Sequence, residues 1–344
     1  MHQLGLVGTG YWGANIAASI EATGNAEIRW LCDTDPDNLK AVATHRPNAR
    51  TTADLGELLG DDGLDAVVIS TPTGTHFEVA RAAFEAKKHV FLEKPMTASS
   101  DHARELIRCA EKAGRILMVG HVFEYNTTIA AVKKTITDGE LGDIHYLHFE
   151  RTNLGPVRTD VNALWDLASH DVSIMCDFFG TAPASVTASG QSFLNPGVED
   201  VAFATFFFAN GATAHVHASW LNPRKVRQIT IVGSRKMLVW DDLDMQAPIR
   251  VFDKRADIPG PANTTGDYLA HKVRLFDAGI FIPNIPSNRP LQAECAHFLE
   301  CIETGRTPHS DGHSGLRVVS VLEAATESMR NNSMVMEIAP LGGR

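Results

Sequence analysis

The sequence predicts an α/β protein of two domains: a doubly wound parallel sheet over residues 1–122, then an α/β domain with an open, mostly antiparallel sheet over 123–344. Three observations predict it. A chain of 344 residues is too long for one ordinary core and ample for two. Through the first domain, short apolar runs alternate with amphipathic stretches, as strands alternate with helices. Beyond residue 122 the pattern changes to long β-rich segments separated by turn pairs.

In the first domain, Gln3–Val7, Glu27–Cys32, Ala66–Ser70, His89–Leu92 and Ile116–Val119 read as strands. The runs Val67-Val68-Ile69 and Ile116-Leu117-Met118-Val119 are apolar on both faces, as parallel strands covered by helices must be. Val79, Ala80, Ala83 and Phe84 recur at helical spacing. So do Ala103, Leu106, Ile107 and Ala110, entered through the N-cap candidates Ser99 and Ser100. The second domain opens with a helix at Thr128–Thr137, a strand at Ile144–Glu150 and a helix at Leu164–Phe179. Strands are then expected at Ser185–Ser189, Val201–Phe208, Ala212–Ser219, Gln228–Val232, Met237–Trp240 and Ile249–Phe252. Asn210-Gly211 and Gly233-Ser234 supply turns between them. Residues 254–289, rich in Pro, Gly and Asn, read as a surface excursion. Helices at Gln292–Glu303 and Ser314–Arg330 and a strand at Val335–Ile338 follow, the C-terminal helix being expected to pack back on the first domain.

Composition excludes some classes. Apolar residues at 44% and charged residues at 21% are globular values. A formal net charge of -10 argues against nucleic-acid binding, which rests on neutralising phosphates, yet permits one anion in a local basic pocket. The five cysteines form no CxxC pair, which suits reduced thiols in the cytoplasm. The chain opens directly on a strand, leaving no room for a leader peptide, and no apolar run approaches the roughly 20 residues that span a bilayer. A soluble cytoplasmic protein is expected.

Gly8-Thr9-Gly10-Tyr11-Trp12-Gly13 follows the first strand and opens the first helix. In such a turn Gly8 permits the tight bend, Gly10 lets backbone approach a pyrophosphate, and Gly13 lets helix and strand pack closely. Asp33 ends the second strand, where a carboxylate accepts ribose hydroxyls and repels a 2′-phosphate. The expected cofactor is therefore NAD. The alternative for Asp33 is a plain acidic turn in Asp33-Thr34-Asp35-Pro36.

With Thr71-Pro72-Thr73-Gly74-Thr75-His76, Glu93-Lys94-Pro95 and the later Trp165-Asp166-Leu167-Ala168-Ser169-His170-Asp171, the chain resembles the glucose–fructose oxidoreductase/inositol dehydrogenase (Gfo/Idh/MocA) family over nearly its whole length. The resemblance implies a Rossmann domain followed by an α/β domain that carries substrate and oligomer contacts, in a homodimer or homotetramer. It implies cofactor contacts from Gly8, Thr9, Gly10, Tyr11, Trp12, Gly13, Asp33, Thr71, Pro72, Thr73, His76, Glu93 and Lys94. It further implies that Lys94 touches both substrate hydroxyl and nicotinamide, that His170 is the general base and that Asp166 completes the site. One stretch departs from the family pattern. Many relatives are glycine-rich just before the aspartate, whereas here Asp160-Val161-Asn162-Ala163-Leu164-Trp165 stands. The Trp-Asp-Leu…His-Asp form is similar to the branch acting on nucleotide-linked aminosugars.

The residue types suit carbinol oxidation. A neutral histidine accepts a hydroxyl proton near neutral pH, and an amine stabilises a developing alkoxide. On a helix, Asp166 and His170 at i and i+4 would share a face. Each feature alone also fits a surface hydrogen bond or a solvated lysine; their order behind the glycine turn favours a site. Substrate contacts are expected from His121, Tyr125, Arg151, Asn153, Arg158 and Trp165, against a hinge role for the cluster at 121–126 and an exposed-loop role for the arginines. Arg224, Lys225 and Arg227 read as a solvated turn. His215 and His217 share a strand face without a third ligand, so no metal is expected. The expected partner is a small sugar or nucleotide sugar, not nucleic acid or a membrane. Three functions compete: a dehydrogenase of nucleotide-linked hexoses, a dehydrogenase of free sugars or cyclitols, and a non-catalytic NAD-binding sensor.

Overall fold

Residues 1–257 and 274–339 are described by a computed structural model. The first sheet holds β1 (His2–Val7), β2 (Ala26–Cys32), β3 (Arg50–Thr52), β4 (Ala66–Ile69), β5 (His89–Glu93) and β6 (Leu117–Gly120). All are parallel, in the order β3-β2-β1-β4-β5-β6. Helices α1 (Tyr11–Glu21), α2 (Pro36–Ala43), α3 (Leu55–Leu59), α4 (His76–Glu85) and α5 (Ser100–Ala113) connect the strands. Every side chain of β4 is buried, because helices cover both faces. Ser99 caps α5 through the His102 N–H, as the sequence suggested. β3, α2 and α3 were not foreseen. β3 is three residues long, and α2 starts at Pro36 behind Asp35, whose carboxylate accepts from the Asp37 and Asn38 N–H groups.

Among the described residues, the second sheet has nine strands in the order β14-β13-β12-β11-β7-β10-β9-β8-β15. They are β7 (Ile144–Leu154), β8 (Ser185–Gln191), β9 (Val201–Phe207), β10 (Thr213–Ser219), β11 (Leu221–Gly233), β12 (Met237–Asp241), β13 (Ile249–Asp257), β14 (Arg274–Phe281) and β15 (Met336–Glu337). Among these described strands only β7 and β10 pair in parallel; the other pairs are antiparallel. Helices α6 (Thr127–Thr137), α7 (Ser169–Phe179), α8 (Pro290–Thr304) and α9 (Gly312–Arg330) complete the chain. The segment 254–289 is not simply a surface excursion. β13 runs on to Asp257 and β14 pairs with it across a register shift at Phe252/Lys254, an irregularity that breaks the alternation on which a strand reading relies. Residues 258–273 of that segment lie outside the described residues. The expected helix over Leu164–Phe179 is a π-helical turn at Leu164–Ala168 leading into α7.

The last two helices decide where the sheets meet. α8 returns to the first sheet, where Cys295, Phe298 and Leu299 join Ile16, Ile20, Phe91 and Met118 in one core. Phe298 meets Phe91 edge to face at 5.6 Å. α9 is shared: Leu316 and Val319 enter the core on the opposite face of the first sheet, while Val318, Val321 and Ala325 enter the core of the second. Among the described residues, no helix is long and apolar enough to cross a membrane.

Carboxyl groups are buried at this junction. Glu124 lies just after β6 and accepts from Ser173 Oγ, with His309 Nε2 3.4 Å from its other oxygen. His309 Nε2 also lies 3.2 Å from Asp177, which Lys133 approaches to 2.6 Å. Glu124, Asp177 and His309 are close enough to share a metal ion, but the Lys133 ammonium already occupies Asp177. Burial pushes the carboxyls of Glu93 and Glu124 up to about 7, and that of Glu294 on α8 well above the ordinary range. The Asp177 hydrogen bond raises His309.

Two outcomes follow from this packing. Phe298→Ala should lower the unfolding free energy by about 3–5 kcal/mol in urea titrations. Between about pH 4.5 and 7, native Glu124 holds a proton that the unfolded chain has released, so stability falls as pH rises through that window. Raised His309 adds a loss of the same sign, because its stabilisation is complete below 6.5 and fades as pH passes its folded value. Across pH 5 to 8 the melting temperature of Glu124→Gln should therefore fall less, or rise more, than that of the wild type, because the buried histidines that favour folding as pH rises are common to both; an equal slope would place the effect in other groups.

Candidate active site

The carboxyl edge of a parallel sheet leaves a crevice where neighbouring crossovers diverge, and here it widens into a cavity of about 1260 Å³. Its first wall is the glycine turn. Gly8 has φ +90, and a Cβ there would lie 2.7 Å from the Ser70 carbonyl carbon. A Cβ on Gly13 would overlap Gly8 O, so the strand-to-helix approach requires glycine. A Cβ on Gly10 would meet nothing within 4 Å, leaving that backbone open to the cavity. Gly10 is the N-cap of α1 and no side chain caps that end, so free helix amides face the cavity, as a pyrophosphate requires. Asp33 lines the same wall; its Oδ2 accepts from Thr9 N at 2.6 Å and Thr9 Oγ1 at 2.9 Å. These donors, the open backbone and the carboxylate fit a dinucleotide.

Of the residues expected at the cofactor, Gly8, Gly10, Tyr11, Trp12, Asp33, Thr71, Pro72, Thr73, Glu93 and Lys94 line the cavity. Thr9, Gly13 and His76 stand behind it. Thr9 is buried as the support of Asp33. His76 is buried with its ring nitrogens 3.0 Å from Pro95 O and 2.9 Å from Thr71 O, tying the two loops together.

Glu93 and Lys94 leave β5 at the centre of the cavity. Trp12 Nε1 donates to Glu93 Oε1 at 2.7 Å, and Lys94 N donates to Oε2 at 3.1 Å. The side chain of Lys94 crosses to the second domain, where Nζ donates to Asp166 O at 3.0 Å and lies 3.4 Å from Asp166 Oδ1. Asp166 also accepts from Arg158 Nη1 at 3.1 Å and from Trp220 Nε1 at 3.2 Å. His170, in the first turn of α7, lines the cavity beside these groups. Because Asp166 sits in the π turn and His170 in α7, the simple i, i+4 pairing does not form: the Asp166 carboxylate turns to Lys94, Arg158 and Trp220. Desolvation, then the charges of Lys94 and Arg151, hold the His170 ring well below its ordinary value. Its buried Nδ1 has no partner among the described residues, so a second ring proton would have no acceptor. The ring is neutral at pH 7.

The substrate contacts expected from sequence are mostly elsewhere. Arg158 lines the cavity, with Asp160 on Nε and Nη2. Arg151 is buried in an ion pair with Asp171 and stacks over Phe123 at 4.6 Å, so it organises the core beneath the site. Tyr125 points away to Ser310 and His297. Asn153 Nδ2, near the end of β7, donates to Gly155 O just beyond the strand. Trp165 faces a separate cleft and donates to Thr326. His121 is buried with both ring nitrogens unpartnered among the described residues, and burial drives it down to about 3. In their place, Phe123, Asn126, Thr159, Asp160, Arg227 and Asp242 line the cavity. In the sequence Arg227 reads as part of a solvated turn with Arg224 and Lys225; its strand periodicity relative to Ile229 and Ile231 is the signal that places it in the cavity.

Comparison with known proteins places this geometry in a lineage. Residues 2–121 match the model of an oxidoreductase family with an NAD-binding Rossmann fold, and residues 129–239 match the GFO/IDH/MocA C-terminal domain. The chain is 30% identical to the oxidoreductase YdgJ of Escherichia coli over 71% of this chain and 72% of that protein. It is 28% identical to scyllo-inositol 2-dehydrogenase (NAD(+)) of Bacillus subtilis, covering 96% and 94%. The solved structure of UDP-N-acetylglucosamine 3-dehydrogenase GnnA from Acidithiobacillus ferrooxidans superposes with TM-score 0.80 at 25% identity, covering 96% of this chain and 98% of that one. With both domain models matched in order and an open dinucleotide turn facing a lysine–histidine pocket, the chain belongs to the GFO/IDH/MocA family of NAD-binding oxidoreductases.

Proposed function

We propose that the protein is an NAD-dependent dehydrogenase acting on a secondary carbinol of a sugar ring, with a nucleotide-linked hexose or aminosugar as substrate. Residues 1–122 would hold the dinucleotide and 123–344 the sugar, in a homodimer or homotetramer. The observation that carries this reading is that Lys94 and His170, from different domains, line one cavity together with the uncapped glycine turn. When bound, nicotinamide supplies a two-electron hydride acceptor or donor.

The chain's own residues handle the proton and the charge. His170, neutral, takes the hydroxyl proton as the carbon–hydrogen bond breaks. Such a base is weak, so Lys94 must stabilise the developing alkoxide with its positive charge. Asp166 holds Lys94 through two oxygens and thereby fixes where that charge sits. In the reverse direction Lys94 polarises the ketone and the protonated histidine returns the proton. A sensor would need no such proton acceptor.

A second substrate reading has its own support. Arg151 and Arg158, the arginines nearest to hand for a diphosphate in the sequence, are committed to Asp171, Asp160 and Asp166. That observation supports a free sugar or cyclitol as the second reading. Turnover assays with NAD and a panel of UDP-hexoses, UDP-N-acetylhexosamines, hexoses and inositols separate the two. NADH formed only from inositol or free sugars would reject the nucleotide-linked substrate; none from any carbinol, with NADH bound, would favour a sensor.

Lys94→Ala and His170→Ala should each lower turnover about a hundredfold or more while NADH still binds, measured by steady-state rates and fluorescence titration. Asp33→Ala should raise the NAD dissociation constant roughly tenfold and improve relative use of NADP. An unchanged NAD-to-NADP ratio would reduce Asp33 to a turn residue.

A further inference from the structure

Side chains on β11 alternate between the faces of the second sheet. Ile229 and Ile231 are buried in the core that α7 covers, and Arg227 continues their row by one step. In register it sits opposite Arg151 of β7, whose own row, Leu147 and Phe149, is buried on the same face. The row thus passes from core to cavity at Arg227, which lines the cavity beside Asp242.

Asp242 fixes the orientation of the guanidinium. Arg227 Nη1 donates to Asp242 Oδ2 at 3.2 Å, and Asp242 N donates back to Arg227 O at 3.0 Å. Among the described residues, nothing is hydrogen-bonded to the Nε/Nη2 edge. The other two arginines of this region have that edge filled, Arg151 by Asp171 and Arg158 by Asp160. The Nε/Nη2 edge offers two parallel N–H groups, the complement of a group with two acceptor oxygens. The charge of Arg227 is also felt at His170, which places it within electrostatic reach of the reacting end.

We propose that Arg227 is a specificity-determining residue whose open guanidinium edge takes an anionic two-oxygen group of the substrate, distant from the reacting carbinol. This rests on the dehydrogenase reading above. The group is a carboxylate on the sugar or a phosphate attached to it; both present the same paired oxygens.

The test compares wild type, Arg227→Gln and Arg227→Lys on four substrates with NAD: a free hexose, a free hexuronate, a UDP-hexose and a UDP-hexuronate. Wild type should prefer an anionic member over the free hexose. In Arg227→Gln that preference in kcat/KM should fall about tenfold to a hundredfold, chiefly through KM. Arg227→Lys should restore only part, since it keeps the charge without the paired donors. A fall confined to the hexuronates assigns the edge to the ring carboxylate; a fall in both UDP sugars assigns it to phosphate. NADH titration identifies a misfolded variant, and Arg227→Lys carries the comparison if Arg227→Gln does not fold. Equal losses on the free hexose and the anionic substrates would overturn the proposal alone, as would a wild type without anionic preference. No turnover of any carbinol would overturn the dehydrogenase reading as well.

Discussion

Lys94 holds the site together because its backbone leaves the first sheet while its side chain is held by the second domain. Its backbone follows β5 and donates to Glu93, while its ammonium reaches Asp166 in the π turn ahead of α7. Glu93 is in turn held by Trp12 from the glycine turn. Three separate stretches of sequence are thereby brought to one point through a chain of polar contacts. At 15% and 17% side-chain exposure, Lys94 and Asp166 are shielded enough for their attraction to persist at ordinary ionic strength.

The same shielding has a cost that the fold bears openly. Glu93, Glu124 and Glu294 are buried carboxyls around the junction, each pushed towards its neutral form. Apolar packing of α8 and α9 must offset that cost. It does so from both sides: α8 fills one face of the first sheet, and α9 is shared by the other face and the second sheet.

Where the sequence was legible, the controlling physics was local. The glycine turn is read from steric demands within a few residues, and β4 and β6 from continuous apolar runs that only a doubly covered sheet explains. Asp33 and Lys94 follow because strand ends in a parallel sheet share an edge. Legibility failed where a side chain's direction depends on distant register. Arg227 looks like one more basic residue beside Arg224 and Lys225 until pairing with β7 assigns it to the cavity face. Arg151, Tyr125 and Trp165 carry the right chemistry for sugars but are drawn to Asp171, Ser310 and Thr326 by folding partners far along the chain. The π turn has no sequence signature, and it re-aims Asp166.

The return of α8 sets an order on biosynthesis. The face of the first sheet formed by Ile16, Ile20 and Phe91 is completed by residues 290–304, and more than half of the chain is made in between. At ribosomal speeds of about 5–20 residues per second, a nascent first sheet waits on the order of ten to forty seconds for its cover. During that interval an apolar surface shaped for Phe298 stands open, so the emerging chain is a natural client for chaperones that shield hydrophobic faces.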